Sequence, residues 1–129
     1  MDKTKQLIEQ IKKDRPTYTQ KTFRSREILA KEDPKYLELF HRMHMYVVHE
    51  KQGLPTKIKE IIISAVDAAT GYERGIEIHL KGAIQAGATK EEIIEGLLAA
   101  SLPAGIHVLS LSLPILDDIL KEDQKKMKE

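Results

Sequence analysis

Glu60 and His79 are the side chains of this sequence whose types and positions suit acid–base chemistry. Helical spacing puts His79 on one face with apolar and small residues, and Glu60 on a polar stripe with Ser64 and Asp67. If the two segments pack as antiparallel helices across Gly71, Glu60 and His79 lie at similar distances from the turn. A carboxylate beside an imidazole fixes its tautomer and favours the protonated ring, so the pair can move a proton near neutral pH. The competing interpretation is a hydrogen-bonded core histidine and a solvated glutamate.

Other polar positions give weaker signals. Gly75 inside a helix costs about 1 kcal/mol relative to alanine, which indicates that it makes room for a neighbouring helix or for a ligand. His107 is either a second polar group of the same cavity or a capping residue. His41 and His44 have a spacing that a metal ion can use, and His49 is near, but no carboxylate or thiol clusters with them. We therefore expect no metal site.

Hydrophobic periodicity predicts that helices position these groups. We expect an all-α fold, a compact bundle of about six helices with a central antiparallel helix pair. Two signals mark helix starts, Asp33-Pro34 and the Thr89–Glu92 capping box. The strongest helical segments are Thr56 to Thr70, Tyr72 to Ala86 after Gly71, and Val108 to Leu113 with a kink near Pro114.

The segment from Gly96 to Leu116 contains no Asp, Glu, Lys or Arg and is about as long as a membrane span. It also carries Pro103, Gly105 and Pro114, which suit two buried helices that meet at a turn. We therefore predict buried helices rather than a membrane helix.

Composition predicts one globular domain over 1–129, divided into an amino-terminal arm (1–34), a helical core (35–120) and a charged tail (121–129) that frays. The 129 residues include no cysteine, which excludes disulfides, thiolate metal sites and a cysteine nucleophile. The net charge of +1 favours neither nucleic acid nor an anionic membrane as a partner. With no signal-peptide pattern at the start, we expect a cytoplasmic protein.

Three runs together resemble the carboxymuconolactone decarboxylase and alkyl hydroperoxidase D family. They are His79 to Ala83, Gly87 to Glu95, and Ala104-Gly105. The resemblance extends over about Leu54 to Leu120, and more loosely from Pro34.

The hydroperoxidase branch of this family uses a cysteine pair together with a glutamate–histidine relay. By resemblance the relay falls on Glu60 and His79, and the two cysteine positions fall on Tyr72 and Gly75. Thiol peroxidase chemistry needs one thiolate to attack the peroxide and a second to resolve the sulfenic acid. The chain is therefore not expected to be a cysteine-dependent peroxidase.

The decarboxylase branch converts 4-carboxymuconolactone to the 3-oxoadipate enol-lactone without a metal or organic cofactor. The resemblance implies a lyase in which His79 is the acid–base group, Glu60 or Glu73 orients it, and Arg74 or Lys81 binds a carboxylate. The other positions implied to contact substrate are Tyr72, Gly75 and His107.

Two departures leave the substrate open, since Pro103 and His107 stand where the branch often has tyrosine and proline. The family also forms trimers and hexamers, so we expect a homo-oligomer acting on a small carboxylate. The alternative is a thiol-less relative of the hydroperoxidase branch that serves as a non-catalytic or small-ligand-binding oligomeric scaffold.

Overall fold

The computed structural model describes residues 2–128, and this part of the chain is helical, with no strand. The all-α prediction is confirmed. The described residues form seven α-helices, one more than the predicted six, and a short π-helical segment. The helices are α1 (Lys3–Asp14), α2 (Gln20–Glu32), α3 (Pro34–Met45), the π-helix (Tyr46–Glu50), α4 (Thr56–Thr70), α5 (Glu73–Gln85), α6 (Lys90–Ala104) and α7 (His107–Lys128).

The residues up to Gly53 form one compact unit, and those from Leu54 onward form another. In the first unit, α1, α2 and α3 enclose a small core of Ile11, Phe23, Ala30 and Leu37. Helix α2 covers a stretch whose pattern was unclear in the sequence, and its start is held by a reciprocal cap between Thr19 and Thr22.

Helix α3 begins as the sequence predicted. The Asp33 side chain accepts from the Tyr36 amide, and Pro34 takes the first helical position, where it has no amide hydrogen to leave unpaired.

The second unit contains the predicted antiparallel helix pair, α4 and α5. The chain reverses at Gly71, whose φ of 81° lies in the left-handed region that glycine adopts without strain. The Tyr72 amide donates to the Asp67 carbonyl and closes the end of α4. Apolar residues from α4 to α7 form the core around this hairpin, among them Ala68, Ile76 and Leu80.

Helices α6 and α7 complete the second unit. The predicted capping box opens α6, because Thr89 accepts from the Glu92 amide and Glu92 accepts from the Thr89 amide. Gly105, with φ of 113°, separates α6 from α7, so the segment without charged residues is divided between two helices as expected. Within residues 2–128, no helix combines the length and hydropathy needed to cross a membrane.

The charged tail differs from its prediction. Helix α7 continues through Lys128 where fraying was expected from residue 121. Lys121 and Asp117 lie one turn apart on the same face of α7 and form an ion pair of 2.8 Å, which supports this extension. Glu129 lies outside the described residues.

Candidate acid–base site

The α4–α5 hairpin brings together the pair expected from the sequence. His79 Nδ1 lies 3.3 Å from Glu60 Oε1, and the two side chains are 11% and 9% exposed. Because both groups are nearly removed from water, their interaction is screened far less than a surface pair. Ser64 is fully buried on the same stripe, and its hydroxyl donates to the Glu60 backbone carbonyl within α4.

Two glycines of α5 give the α4 carboxylates their space. A Cβ atom on Gly82 would overlap the Glu60 carboxylate, and a Cβ atom on Gly75 would overlap the Asp67 carboxylate and meet the Tyr72 ring. The cost of glycine inside a helix is therefore offset by a polar layer between closely packed helices. Of the two possibilities raised by the sequence, Gly75 makes room for the neighbouring helix.

Asp67 is the ionisable group of this layer that the sequence analysis left out of the site. It is partly buried, and burial raises the pKa of its carboxyl above the ordinary value of 3.8, while the nearby charge of His79 acts in the opposite direction. A signal was present in the sequence. Glu60 and Asp67 have the same separation on α4 as Gly75 and Gly82 have on α5.

Other residues predicted for the site lie at its edge or away from it. Glu73 and Arg74 are exposed in the first turn of α5, and helical geometry directs them to other faces than that of His79. Tyr72 shares the face of His79 and is 51% exposed. Lys81 donates to Glu77 one turn earlier, at 2.9 Å.

His107 occupies a capping position. Its Nε2–H donates to the Ala69 carbonyl at 3.0 Å, in the last turn of α4, where backbone carbonyls lack partners within the helix. This contact favours the capping alternative for His107.

The other histidines considered for metal binding belong to the first unit. His41 is buried and its Nε2 lies 2.8 Å from Asp14 Oδ2, so this pair links α3 to α1. Within residues 2–128, no group of three or more His, Cys, Asp or Glu side chains has an arrangement that could hold a metal ion.

Comparison with known proteins places this geometry in a family. The carboxymuconolactone decarboxylase family model matches residues 34–118, which is most of the chain. The chain belongs to the carboxymuconolactone decarboxylase family. A curated relative, 4-carboxymuconolactone decarboxylase from Acinetobacter baylyi, is 29% identical over 75 residues, which are 58% of this chain and 56% of the relative. The chain thus spans little more than half the length of that relative.

The fold has a counterpart among solved structures. The crystal structure of a protein from Burkholderia xenovorans, provisionally named a carboxymuconolactone decarboxylase, superposes with a TM-score of 0.77. The match covers 95% of this chain and 98% of that chain at 22% sequence identity. The TM-score shows that the two proteins share a fold.

Replacing Gly82 with alanine should displace the Glu60 carboxylate from His79. Overpacking typically costs about 1–3 kcal/mol, and better helix propensity returns about 1 kcal/mol. We therefore expect a net loss of up to about 2 kcal/mol in the free energy of unfolding, measured by urea denaturation. Gly53→Ala is the matched control, because a Cβ atom there meets open space. A stabilised Gly82→Ala protein would show that Glu60 has room to move.

Replacing Asp67 with asparagine should make stability less sensitive to acid. The pKa of Asp67 is higher in the folded state than in the unfolded state, so ionisation of this carboxyl destabilises the fold when the pH is above the unfolded-state pKa. This cost disappears as the pH falls and the carboxyl becomes protonated in both states. We expect Asp67→Asn to raise the Tm relative to the parent at pH 7, and by less towards pH 4.5. Asp118→Asn, at an exposed site on α7, is the control. A gain that stays constant or grows with acid would contradict this assignment.

Proposed function

We propose that this protein performs cofactor-free acid–base chemistry, a decarboxylation or isomerisation, on a small carboxylated lactone or a related acid. The observation that carries the proposal is the buried contact between Glu60 and His79. Family membership and the name of the Acinetobacter relative support the reaction class.

The residues suit a simple sequence of steps. A cation, Arg74 or Lys81, binds a substrate carboxylate, and Tyr72, half exposed beside Gly75, contacts the substrate at the edge of the polar layer. In a decarboxylation the carbon–carboxyl bond breaks and carbon dioxide leaves. The electron pair of the broken bond enters the conjugated lactone. His79 then gives a proton to carbon, and the Glu60 carboxylate holds the ring in the required tautomer and stabilises its charged form. Glu73, the other orienting carboxylate that the resemblance implies, lies on a different face of α5 from His79, which favours Glu60 for this role.

One observation favours a second candidate, a non-catalytic or small-ligand-binding oligomeric scaffold. Glu60 and His79 are buried and bonded to each other, as expected of a polar pair that stabilises a helix contact. The two candidates differ in what loss of the imidazole does, since one loses turnover and the other loses stability.

His79→Ala should abolish turnover while the helical fold survives. General acid–base groups contribute about 100- to 10,000-fold to rate, so we expect a fall in kcat of about 100-fold or more and a smaller fall for Glu60→Gln. The assay is ultraviolet-monitored loss of 4-carboxymuconolactone, with folding followed by circular dichroism. Glu95→Gln, at an exposed position on α6, is the control.

No turnover by the folded parent protein at high concentration would remove this lactone as substrate. If His79→Ala then also lowered the Tm strongly, the scaffold function would be supported instead.

We also propose that the protein is a homo-oligomer, a trimer or hexamer. Leu98 and Leu102 lie one turn apart on α6 and continue to Ile106, with exposures of 48%, 86% and 72%. On α4, Ile62 and Val66 are also about half exposed. Apolar surface in this arrangement is typical of subunit contacts, and a second copy of this chain is the partner that the family resemblance implies.

Leu102→Glu should dissociate the oligomer, because it places a charge in the apolar contact. Size-exclusion chromatography with light scattering should show a shift towards the monomer mass. Met127→Glu is the matched control, because Met127 is equally exposed, at 87%, near the end of α7. An unchanged mass for Leu102→Glu would exclude this face as the contact.

A further inference from the structure

The polar layer between α4 and α5 contains two carboxylates, and both are placed in the same way. Glu60 lies over Gly82, and Asp67 lies over Gly75. His79 stands between these two glycines on α5. The Glu60–His79 pair is therefore part of a larger polar layer. In this layer the His79 imidazole has one carboxylate on the side of Gly82 and another on the side of Gly75.

We propose that Asp67 is a positioning residue of the His79 site, which shares with Glu60 the task of stabilising the protonated imidazole. This inference deepens the proposed function and rests on it for its catalytic meaning. Asp67 acts through His79: when the ring takes up a proton, it gains a second negative partner, and when the ring gives the proton away, that attraction is lost. No covalent step is added to the reaction.

Three observations support this role. The carboxylate of Asp67 occupies space that exists only because residue 75 has no side chain. The position is partly buried, and burial disfavours the ionised carboxyl, so aspartate is a poor choice for packing alone. His79 follows Gly75 by one helical turn on the same face of α5, so its ring lies near the Asp67 carboxylate that fills the space at Gly75, and its charge opposes the rise in the pKa of Asp67.

Several polar groups of the described residues border the layer. Helix α4 contributes Glu60 and Asp67, and the Ser64 hydroxyl between them is committed to the Glu60 carbonyl. Helix α5 contributes His79, with Tyr72 just before its first turn. From α7, His107 bonds the Ala69 carbonyl at the Asp67 end of α4. Asp67 is thus a second carboxylate of this layer beside His79.

The direct test measures the protonation state of His79 by nitrogen-15 NMR of the imidazole, with its signals assigned by their loss in His79→Gln. At one fixed pH near neutrality, Asp67→Asn should lower the protonated fraction of His79, and Glu60→Gln should lower it as well. Asp117→Asn, which removes an exposed carboxylate from α7, should leave it unchanged. An Asp67→Asn protein whose His79 signals match the parent would overturn the proposal.

A second test uses the glycine and needs no assignment. Gly75→Ala should lower the Tm in the parent, because the new methyl group overlaps the Asp67 carboxylate and the Tyr72 ring. In an Asp67→Ala background the same change should lower the Tm less, because the overlap with the carboxylate is gone and only that with the Tyr72 ring remains. Equal losses in both backgrounds would show that Asp67 does not depend on the space at Gly75, and would overturn the proposed placement.

Turnover separates this proposal from the proposed function. If the lactone is a substrate, Asp67→Asn should lower kcat by a smaller factor than His79→Ala and leave KM nearly unchanged, because Asp67 acts on the ring and not on the substrate. A rise in KM with unchanged kcat would overturn the positioning role. If no turnover is found, the proposed function fails for that substrate, while the NMR and Tm results still decide whether Asp67 and His79 act as a unit.

Discussion

The close approach of α4 and α5 is the constraint on which the candidate site depends. Glycines at positions 75 and 82 remove side chains from the face of α5 that meets α4, and carboxylates of α4 take their place. A helix contact of this kind cannot be held by apolar packing alone, because ionised carboxylates out of water need partners. His79 supplies one, and the surrounding apolar core of the second unit keeps the layer away from solvent. Stability and chemistry are therefore coupled in the same few side chains.

Much of this hairpin could be predicted from the sequence, because each of its signals is local. The apolar stripe of α4, the glycine turn at Gly71 and the Thr89–Glu92 capping box act within a few residues, and all were found where expected. The Glu60–His79 contact followed from them, because an antiparallel hairpin with a short turn fixes which positions face each other. Family resemblance pointed to the same pair independently.

The features that local sequence patterns did not predict have a different physical origin. The sequence places Asp67 on the polar stripe of α4. Its relation to His79, however, depends on how closely α4 packs against α5 at Gly75, and hydrophobic periodicity does not give that distance. Glu73 and Arg74 were named from resemblance, and their exposed positions in the first turn of α5 reflect helix phase. Helix α2 was unclear because its start uses an unusual threonine pair, and α7 extends further than expected because i to i+4 ion pairing offsets the polarity of its end.

The side chains present in the layer narrow the chemistry that the hairpin can perform with its own groups. Here the chain has no cysteine, and the space beside residue 75 is filled by a carboxylate. Carboxylates and an imidazole exchange protons and stabilise charge, but they do not reduce a peroxide. The groups of the layer itself, an imidazole and two carboxylates, therefore favour redox-neutral proton transfer. Asp67 and Gly75 therefore depend on each other, because any side chain at residue 75 would overlap the Asp67 carboxylate.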